Sequence, residues 1–462
     1  MFRKILIANR GEVANRVKET CEKMNIEHVI VSTDVDSNLQ FLSEFSDCIS
    51  IGGKREYLNK EKIIDVAKNN LCSAIHPGWG FLSENPLFAA MAEAVGVTFV
   101  GPNPTSMRKM ADKAMARSTM RELGLSPIPG VDDFLLTVEQ AKKAAKIVGF
   151  PLLLKAVAGG GGKGMRKVFS SEDLEDAFLA ASAEAQSAFG NGAMYMERLI
   201  IGGRHIEFQV LCDGQRAVVL GERECSIQRR HQKLLEETPS PVVDQEQCES
   251  LSKTIADVCV SLGYRGAGTM EMLRDQSGEI FFMEMNTRLQ VEHTITEERF
   301  DIDLVAEQFK IAANHPLNLQ VLYDSSKEIL ETEGVSIRYV TPKGHSIQCR
   351  INAEDVSKNF QPTPGAISKL VWPDMEGLRI DTHLREGDAI SPHYDSMIAK
   401  VITWAPTRKE AIDKMIQALQ NSIIEGVPTT IPLHIAILKH PQFVSGNYTT
   451  SFIEEYLEEL LS

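Results

Sequence analysis

From residue 1 to about 105 the chain alternates short apolar runs with helical patterns, and this alternation restricts the fold more than any other feature. The runs Ile5 to Ala8, Val29 to Ser32, Ala74 to His76 and Thr98 to Val100 have strand length, with helix-length segments between them. Strands joined through crossover helices lie side by side in the same direction, so the region predicts a parallel, doubly wound sheet. The first strand feeds Asn9-Arg10-Gly11-Glu12 and a helix whose apolar side carries Val13, Val17, Cys21 and Met24, and Asp34 follows the second strand. A dinucleotide-binding fold opens the same way. Its G-x-G-x-x-G fingerprint needs three glycines, for the turn, the phosphate approach and the helix packing, and only Gly11 is present. That disfavours a dehydrogenase.

A second constraint is a strand that runs into glycine. Gly149-Phe150-Pro151-Leu152-Leu153-Leu154-Lys155 reads as a short buried strand ending in a lysine, and Gly159-Gly160-Gly161-Gly162-Lys163-Gly164 follows. Consecutive glycines let backbone N–H groups converge on an anion, and Lys155 and Lys163 add charge. A lone glycine run is more often a linker; a lysine fixed at the strand end favours a phosphate loop. The Walker pattern G-x-x-x-x-G-K-[ST] is absent, which removes most of the weight from the P-loop ATPases.

Ionisable groups concentrate after the apolar run Ile280-Phe281-Phe282-Met283, in Glu284-Met285-Asn286-Thr287-Arg288-Leu289-Gln290-Val291-Glu292-His293. Strand alternation groups Ile280, Phe282, Glu284 and Asn286 on one face. The preceding Thr269 to Leu273 and the turn Asp275-Gln276-Ser277-Gly278 make this the second strand of a hairpin. A loop of two or four residues places Glu271 opposite Phe282 and diagonal to Glu284, at roughly 7 to 8 Å, where two carboxylates can share a hard cation. A loop of odd length sends them to opposite faces.

Between these blocks, Arg204 to Val210 alternates so that His205, Glu207 and Gln209 share a side. The run from Glu222 to Lys233 gathers Arg223, Arg229, Arg230, His231 and Lys233, a candidate site for a small anion. The chain as a whole is acidic, with Lys+Arg 49 against Asp+Glu 63 and a net charge of -14, which argues against a broad nucleic-acid or anionic-membrane surface while allowing a local basic pocket. Its 462 residues exceed one core and predict two or three domains.

A third region begins after Pro316 and holds Gln348 to Asp355, His393 to Met397 and turns such as Pro362-Thr363-Pro364-Gly365, suited to an antiparallel sheet. Phe452, Ile453, Tyr456, Leu457, Leu460 and Leu461 close the chain as one helical stripe, read as core or subunit packing rather than a membrane anchor. The eight cysteines include no Cys-x-x-Cys pair, so neither zinc nor a disulfide framework is indicated. No apolar stretch nears the about 18 residues that span a bilayer, and no leader is expected. These features predict a soluble, cytoplasmic protein.

In this order, the motifs Ile7-Ala8-Asn9-Arg10-Gly11-Glu12, His76-Pro77-Gly78, Gly80-Phe81-Leu82-Ser83-Glu84-Asn85, the glycine run, Gln228-Arg229-Arg230-His231-Gln232-Lys233, Glu284-Met285-Asn286-Thr287-Arg288, Gln290-Val291-Glu292-His293 and Arg350-Ile351-Asn352-Ala353-Glu354 resemble the biotin carboxylase component of biotin-dependent carboxylases, within the ATP-grasp superfamily. The resemblance covers essentially the whole chain. It implies an α/β protein with an N-terminal domain at 1–110, an ATP-grasp domain at 111–316 whose mobile glycine-rich lid spans about 131–197, and a mainly antiparallel C-terminal domain at 317–462. The implied activity is ATP- and bicarbonate-dependent carboxylation of biotin on a separate carrier protein. Another ATP-grasp ligase, of amino-acid or purine metabolism, is the alternative. A silent ATP-binding subunit is a further one, which bicarbonate-dependent ATP hydrolysis would exclude.

The resemblance also implies roles. Lys113 and Lys155 would meet the nucleotide phosphates, under a lid that includes Gly161 and Gly162. Glu197, Arg198, Leu199 and Ile200 would hold adenine, and His205, Gln228 and His231 would line the nucleotide site. Glu271, Glu284 and Asn286 would hold Mg²⁺ or Mn²⁺. Lys233, Arg288, Gln290 and the Val291 N–H would cradle bicarbonate, Glu292 would deprotonate it, and Arg350 would face both the anion and the biotin ureido oxygen. Three departures stand out: Trp79 where tyrosine is expected, Ala158 and Lys163 where the lid usually has glycine and arginine, and a long stretch from Gln320 to His345. No Met-Lys-Met biotinylation sequence occurs, so a biotin carboxyl carrier protein and a carboxyltransferase are expected on other chains, the subunit itself as a homodimer. Acetyl-CoA, propionyl-CoA, another acyl-CoA and pyruvate all stay open as final acceptor.

Overall fold

Residues 1–157, 164–323 and 337–461 are described by the computed structural model, and its first sheet follows the alternation in the sequence. The strands are β1 (Lys4–Ile7), β2 (Glu27–Thr33), β3 (Asp47–Gly52), β4 (Ala74–His76) and β5 (Thr98–Phe99), with helices α1 (Gly11–Lys23), α2 (Lys60–Asn69) and α3 (Pro86–Ala94) between them. All pairs are parallel, in the order β3-β2-β1-β4-β5. β3 is the strand missing from the sequence reading. It lies at the sheet edge and buries only Ile51, and it therefore carries no apolar run. The strand order reverses beside β1, which opens a crevice at the carboxyl ends of β1 and β4. There Asn9 Nδ2 donates to the carbonyls of Pro77 at 2.6 Å and Trp79 at 2.8 Å. Gly78 makes this closeness possible, since its φ is +63° and a Cβ on it would lie 2.9 Å from Asn9 Nδ2.

Helices α4 (Pro104–Ala111) and α5 (Lys113–Glu122) lead to a small subdomain of α6 (Val138–Val148), β6 (Leu152–Ala156), β7 (Met165–Val168), α7 (Leu174–Phe189) and β8 (Met194–Arg198). Its three strands pair antiparallel, β7-β6-β8, over a separate core that includes Leu152, Leu154, Val168, Phe178 and Met194. The glycine run itself, including Gly161 and Gly162 and the departures Ala158 and Lys163, lies outside the described residues, as do 324–336 of the long stretch noted above.

The largest sheet holds β9 (Arg204–Asp213), β10 (Ala217–Arg229), β11 (Gln232–Thr238), β12 (Arg265–Arg274) and β13 (Ile280–Asn286), flanked by α8 (Gln245–Ser261), α9 (His293–Phe300) and α10 (Leu304–Ala312). Beyond β14 (Leu319–Val321) and β15 (Arg338–Val340), β16 (His345–Asn352) pairs with β11, and the strands Met397–Ala405 and Leu378–Thr382 follow it. The result is one eight-stranded sheet in the order β13-β12-β9-β10-β11-β16, then Met397–Ala405, then Leu378–Thr382. The C-terminal strands thus extend the central sheet, and the sheet crosses the boundary expected near 316.

The hairpin register corrects the sequence reading. Arg274 pairs with Ile280, so five residues form the loop, and Met272 pairs with Phe282. An odd loop alone would separate the two glutamates. A bulge between Glu271 and Met272 in the ladder, with Met283 as the extra residue on β13, shifts the phase by one, so Glu271 lies directly opposite Glu284 rather than diagonal to it. The bulge also splits the expected face: Ile280, Phe282 and Met285 pack in one core cluster, while Glu284 stays exposed.

The closing stripe packs inward as expected. In Phe452–Leu460, Phe452, Ile453 and Leu460 are buried and Tyr456 and Leu457 lean on the same core, while Leu461 is exposed. The eight cysteines are all free.

Distant segments are tied together at Glu237 on β11. Its buried carboxylate accepts from His345 Nε2 at 2.6 Å, from Arg408 Nε at 2.7 Å and from the Tyr448 hydroxyl. Burial works to raise its pKa, but the hydrogen bonds and charges of His345 and Arg408 prevail and hold it at about 2. A carboxyl depressed in the folded state stabilises the fold above its unfolded value and loses that contribution as pH falls through the folded one. Acid titration from pH 5 to 2 is therefore expected to loosen the C-terminal segment around Tyr448, and Glu237→Gln to flatten that part of the stability profile, measured by thermal melts across the range.

Candidate active site

The acidic strand end and the cationic hairpin meet at Glu292, which precedes α9 and is fully buried. Its Oε1 accepts from Lys233 Nζ at 2.7 Å and its Oε2 from Arg350 Nη2 at 3.0 Å. Lys233 Nζ also donates to Glu207 Oε2 at 2.6 Å and Glu271 Oε1 at 2.8 Å. Behind Lys233, the fully buried Arg223 donates through Nε to Glu207 Oε1 at 2.6 Å and through Nη1 to Gln209 Oε1 at 2.7 Å. Behind Arg350, the buried Glu236 accepts from Nε at 2.6 Å. Burial favours the neutral Glu292 carboxyl, but the charges of Lys233, Arg350 and Arg223 outweigh it and keep the group well below the usual carboxylate range. It is held as an anion.

The alternation of β9 places His205, Glu207 and Gln209 together as expected. The cationic run does not act as one cluster. Arg229 and Gln232 pair across a two-residue turn in which Arg230 and His231 have φ of +50° and +66°. This reversal sends Arg223 and Lys233 into the site while Arg229 lies over Phe360, 4.0 Å from its ring centre, and donates to Asn359. His231 is exposed at the turn. The surrounding protein and then the charges of Lys155 and Lys167 lower its pKa, and neighbouring Gln228 pairs with Lys233 across the hairpin.

Arg288 and Gln290 complete the wall. Arg288 donates to Glu84 Oε2 at 2.9 Å, Gln290 Oε1 at 2.8 Å and Asn286 Oδ1 at 3.3 Å, and Gln290 Nε2 donates to Glu271 Oε1 at 3.1 Å. The donors of Lys233, Arg288, Gln290 and Arg350 thus converge on one cleft, where an incoming anion would exchange with the carboxylates they now hold. Val291, beside them, is buried.

Beside β6 and β8, Lys113 and Lys155 lie 5.9 and 5.7 Å from the Tyr195 ring centre. Lys155 is ion-paired with Glu197, whose other oxygen is 3.6 Å from Arg117 Nη1. Phosphate would therefore compete with Glu197 for Lys155. Burial lowers the Lys113 ammonium, Glu284 opposes this and Lys155 adds to it. In the segment expected to hold adenine, Arg198 N–H donates to Pro129 at 2.7 Å and Leu199 N–H to Pro151 at 3.0 Å. Those two donors are committed to the chain itself, and Glu197 pairs with Leu153 in the β6–β8 ladder, which leaves Ile200 to face a base.

Glu271 and Glu284 face each other across β12 and β13, with Asn286 opposite Thr269. Enclosure in the cleft and then the Glu271 charge raise the pKa of Glu284, and the buried Asn286 Nδ2 has no hydrogen-bond partner among the described residues. Two opposed carboxylates and an amide carbonyl are hard oxygen donors that fit Mg²⁺ or Mn²⁺. Buried His205 adds an imidazole whose Nε2 is 3.4 Å from Glu271 Oε2. Sequence reasoning assigned no role to Glu207, Glu236 or Glu84, and counted Arg223 only within the candidate anion-binding run. Charged residues at alternate positions of buried strands were the available signal for Arg223, Glu207 and Glu236.

Comparison with known proteins follows these blocks. Residues 1–107 match the family described as Biotin carboxylase, N-terminal domain, residues 112–320 the Carbamoyl-phosphate synthase L chain, ATP binding domain, and residues 348–455 the Biotin carboxylase C-terminal domain. The chain is 44% identical to the biotin carboxylase of Nostoc over 458 residues, covering 98% of this chain and 99% of that one. It resembles the biotin carboxylase domain dimer of the Hydrogenobacter thermophilus 2-oxoglutarate carboxylase, solved with MgADP, ADP and bicarbonate, at a TM-score of 0.92 and 42% identity, over 100% of this chain and 99% of that one. Against the biotin carboxylase of Campylobacter jejuni in its β,γ-ATP complex the TM-score is 0.91 at 40% identity, over 98% and 99%.

The opposed pair gives a direct test. Glu284→Gln replaces an exposed carboxylate with an amide, a poor ligand for a hard cation, so the fold is expected to persist while divalent-cation-dependent ATP turnover falls. Unchanged turnover at limiting Mg²⁺ would remove Glu284 from the cation site.

Proposed function

The chain belongs to the biotin carboxylase family, and from that premise we propose how its residues divide an ATP-dependent ligase reaction, the carboxylation of biotin with bicarbonate. The observation that carries the reading is Glu292, fully buried yet bonded at once by Lys233 and Arg350. Bicarbonate enters the cleft and takes over donors from Lys233, Arg288, Gln290 and the Val291 N–H. Once the anion shares those cations, Glu292 feels less positive charge and becomes a better base. It removes the bicarbonate proton as the bicarbonate oxygen attacks the γ-phosphorus of ATP, releasing ADP and forming carboxyphosphate.

Lys113 and Lys155 steady the phosphates, and the subdomain around 131–197 closes over them and excludes water from the labile carboxyphosphate. Glu197 to Ile200 face adenine, with His205, Gln228 and His231 along the nucleotide, and Gly161 and Gly162 belong to the lid by resemblance. Glu271, Glu284 and Asn286 would hold Mg²⁺ or Mn²⁺, which neutralises phosphate charge and orients the transferring group. Carboxyphosphate breaks to CO₂ and phosphate. The phosphate takes the N1′ proton of biotin, N1′ attacks CO₂, and Arg350 stabilises the enolate-like ureido oxygen.

A carrier protein bearing the biotin and a carboxyltransferase on other chains complete the cycle, and the subunit forms a homodimer. The dimer reading is supported by the dimeric Hydrogenobacter relative, a 2-oxoglutarate carboxylase, which adds 2-oxoglutarate beside pyruvate as a 2-oxo acid candidate. A cytoplasmic location accords with the described residues, in which no helix is long and apolar enough to cross a membrane. The amino-acid and purine ligases lose their place as alternatives because residues 348–455, which carry Arg350, match the biotin carboxylase C-terminal domain.

Arg350 was expected to stand on a domain apart from Glu292. Its direct bond to Glu292 gives it a share in both steps. Glu292→Gln is expected to suppress phosphate release and carboxybiotin formation together, with free biotin as acceptor. Arg350→Ala is expected to lower both but carboxybiotin more, by on the order of 10² to 10³, leaving part of the ATP cleavage uncoupled. Equal losses of the two products in Arg350→Ala would confine that arginine to the first step.

A further inference from the structure

Three distant parts of the chain meet on one buried ammonium that none of the roles above uses. Lys400, on the strand Met397–Ala405, is fully buried. Its Nζ lies 2.9 Å from Glu12 Oε2 and 3.3 Å from Asp381 Oδ2, and it donates to the Val291 carbonyl at 3.2 Å. Glu12 sits in the first turn of α1 and accepts at Oε1 from the Trp79 indole N–H at 3.0 Å. The Val291 carbonyl belongs to the peptide that enters Glu292, so Lys400 grips the backbone of the residue whose side chain Arg350 grips. Arg350 and Lys400 are directly opposed on neighbouring strands. Arg379 shares Asp381, donating to it at 2.7 and 3.0 Å, so the charges balance without the Val291 carbonyl, which takes up a remaining ammonium N–H and is thereby fixed in place.

We propose that Lys400 is a positioning residue for Glu292, fixing the Val291–Glu292 peptide so that the carboxylate stays between Lys233 and Arg350. Trp79, which departs from the expected tyrosine, contributes by holding Glu12 against Lys400. The proposal rests on Glu292 being the base. A base displaced by about 1 Å costs on the order of 10² in rate while nucleotide binding at the far end of the cleft is untouched. A purely structural ion would instead lower stability and disturb both.

The test compares Lys400→Met, the charge-balanced double variant Glu12→Gln with Lys400→Met, and Trp79→Phe, each checked by thermal melting and assayed for bicarbonate-dependent ADP formation with KM for ATP and for bicarbonate. Expected is a fall in kcat of about 10² in the Lys400 variants, a smaller fall in the same direction in Trp79→Phe, and a KM for ATP close to that of the unaltered protein. A kcat close to the unaltered value, a KM for ATP that rises in step with the loss of kcat, or failure of both Lys400 variants to fold would overturn the proposal and leave Lys400 a structural ion. Glu292→Gln runs alongside: if it keeps bicarbonate-dependent turnover, the base assignment fails separately, whatever the Lys400 variants do.

Discussion

Lys233 is the interaction on which the rest depends. Its ammonium is shared by Glu207, Glu271 and Glu292, three carboxylates carried by β9, β12 and the entrance to α9. Without it, three buried negative charges would face one another, and even one unpaired buried charge costs several kcal/mol. Arg223 and Arg350 extend the pattern so that every buried carboxylate here has a cationic partner. The site is therefore assembled as a charge lattice, and the ionisable groups that line the cleft are also the groups that tie its strands together.

That lattice explains why the cleft suits a small anion in an acidic protein. The donors are already aimed and desolvated, so binding exchanges one anion for another instead of ordering flexible side chains. It also sets the protonation of Glu292. The charges of Lys233, Arg350 and Arg223 hold the carboxyl well below the usual carboxylate range, so any anion that drew those cations away would raise its basicity.

The continuous sheet gives these partners a common frame. Because β11 pairs with β16, Lys233 and Arg350 stand on adjacent strands although 117 positions separate them in the chain. Lys400 then links that sheet to α1 and to the peptide before Glu292. Lys155 is placed differently, on a small subdomain with its own core.

The sequence by itself determined the parallel N-terminal sheet, because alternating apolar runs and helical stripes admit few arrangements, and it marked Glu271, Glu284, Arg288, Glu292 and Lys233 through local density of ionisable groups, whereas Arg350 stood out only through the family resemblance. Edge strand β3 escaped it, since a strand that buries little needs no apolar run. Tertiary structure alone decided which charges meet. The β13 bulge, invisible in composition, turned an odd loop into an opposed pair of glutamates, and the turn at Arg230–His231 divided a cationic run into an inward and an outward half. The partnerships of Arg223, Glu236 and Lys400 were likewise unreadable, because a buried charge finds its counter-ion across strands that are neighbours in space and remote in the chain.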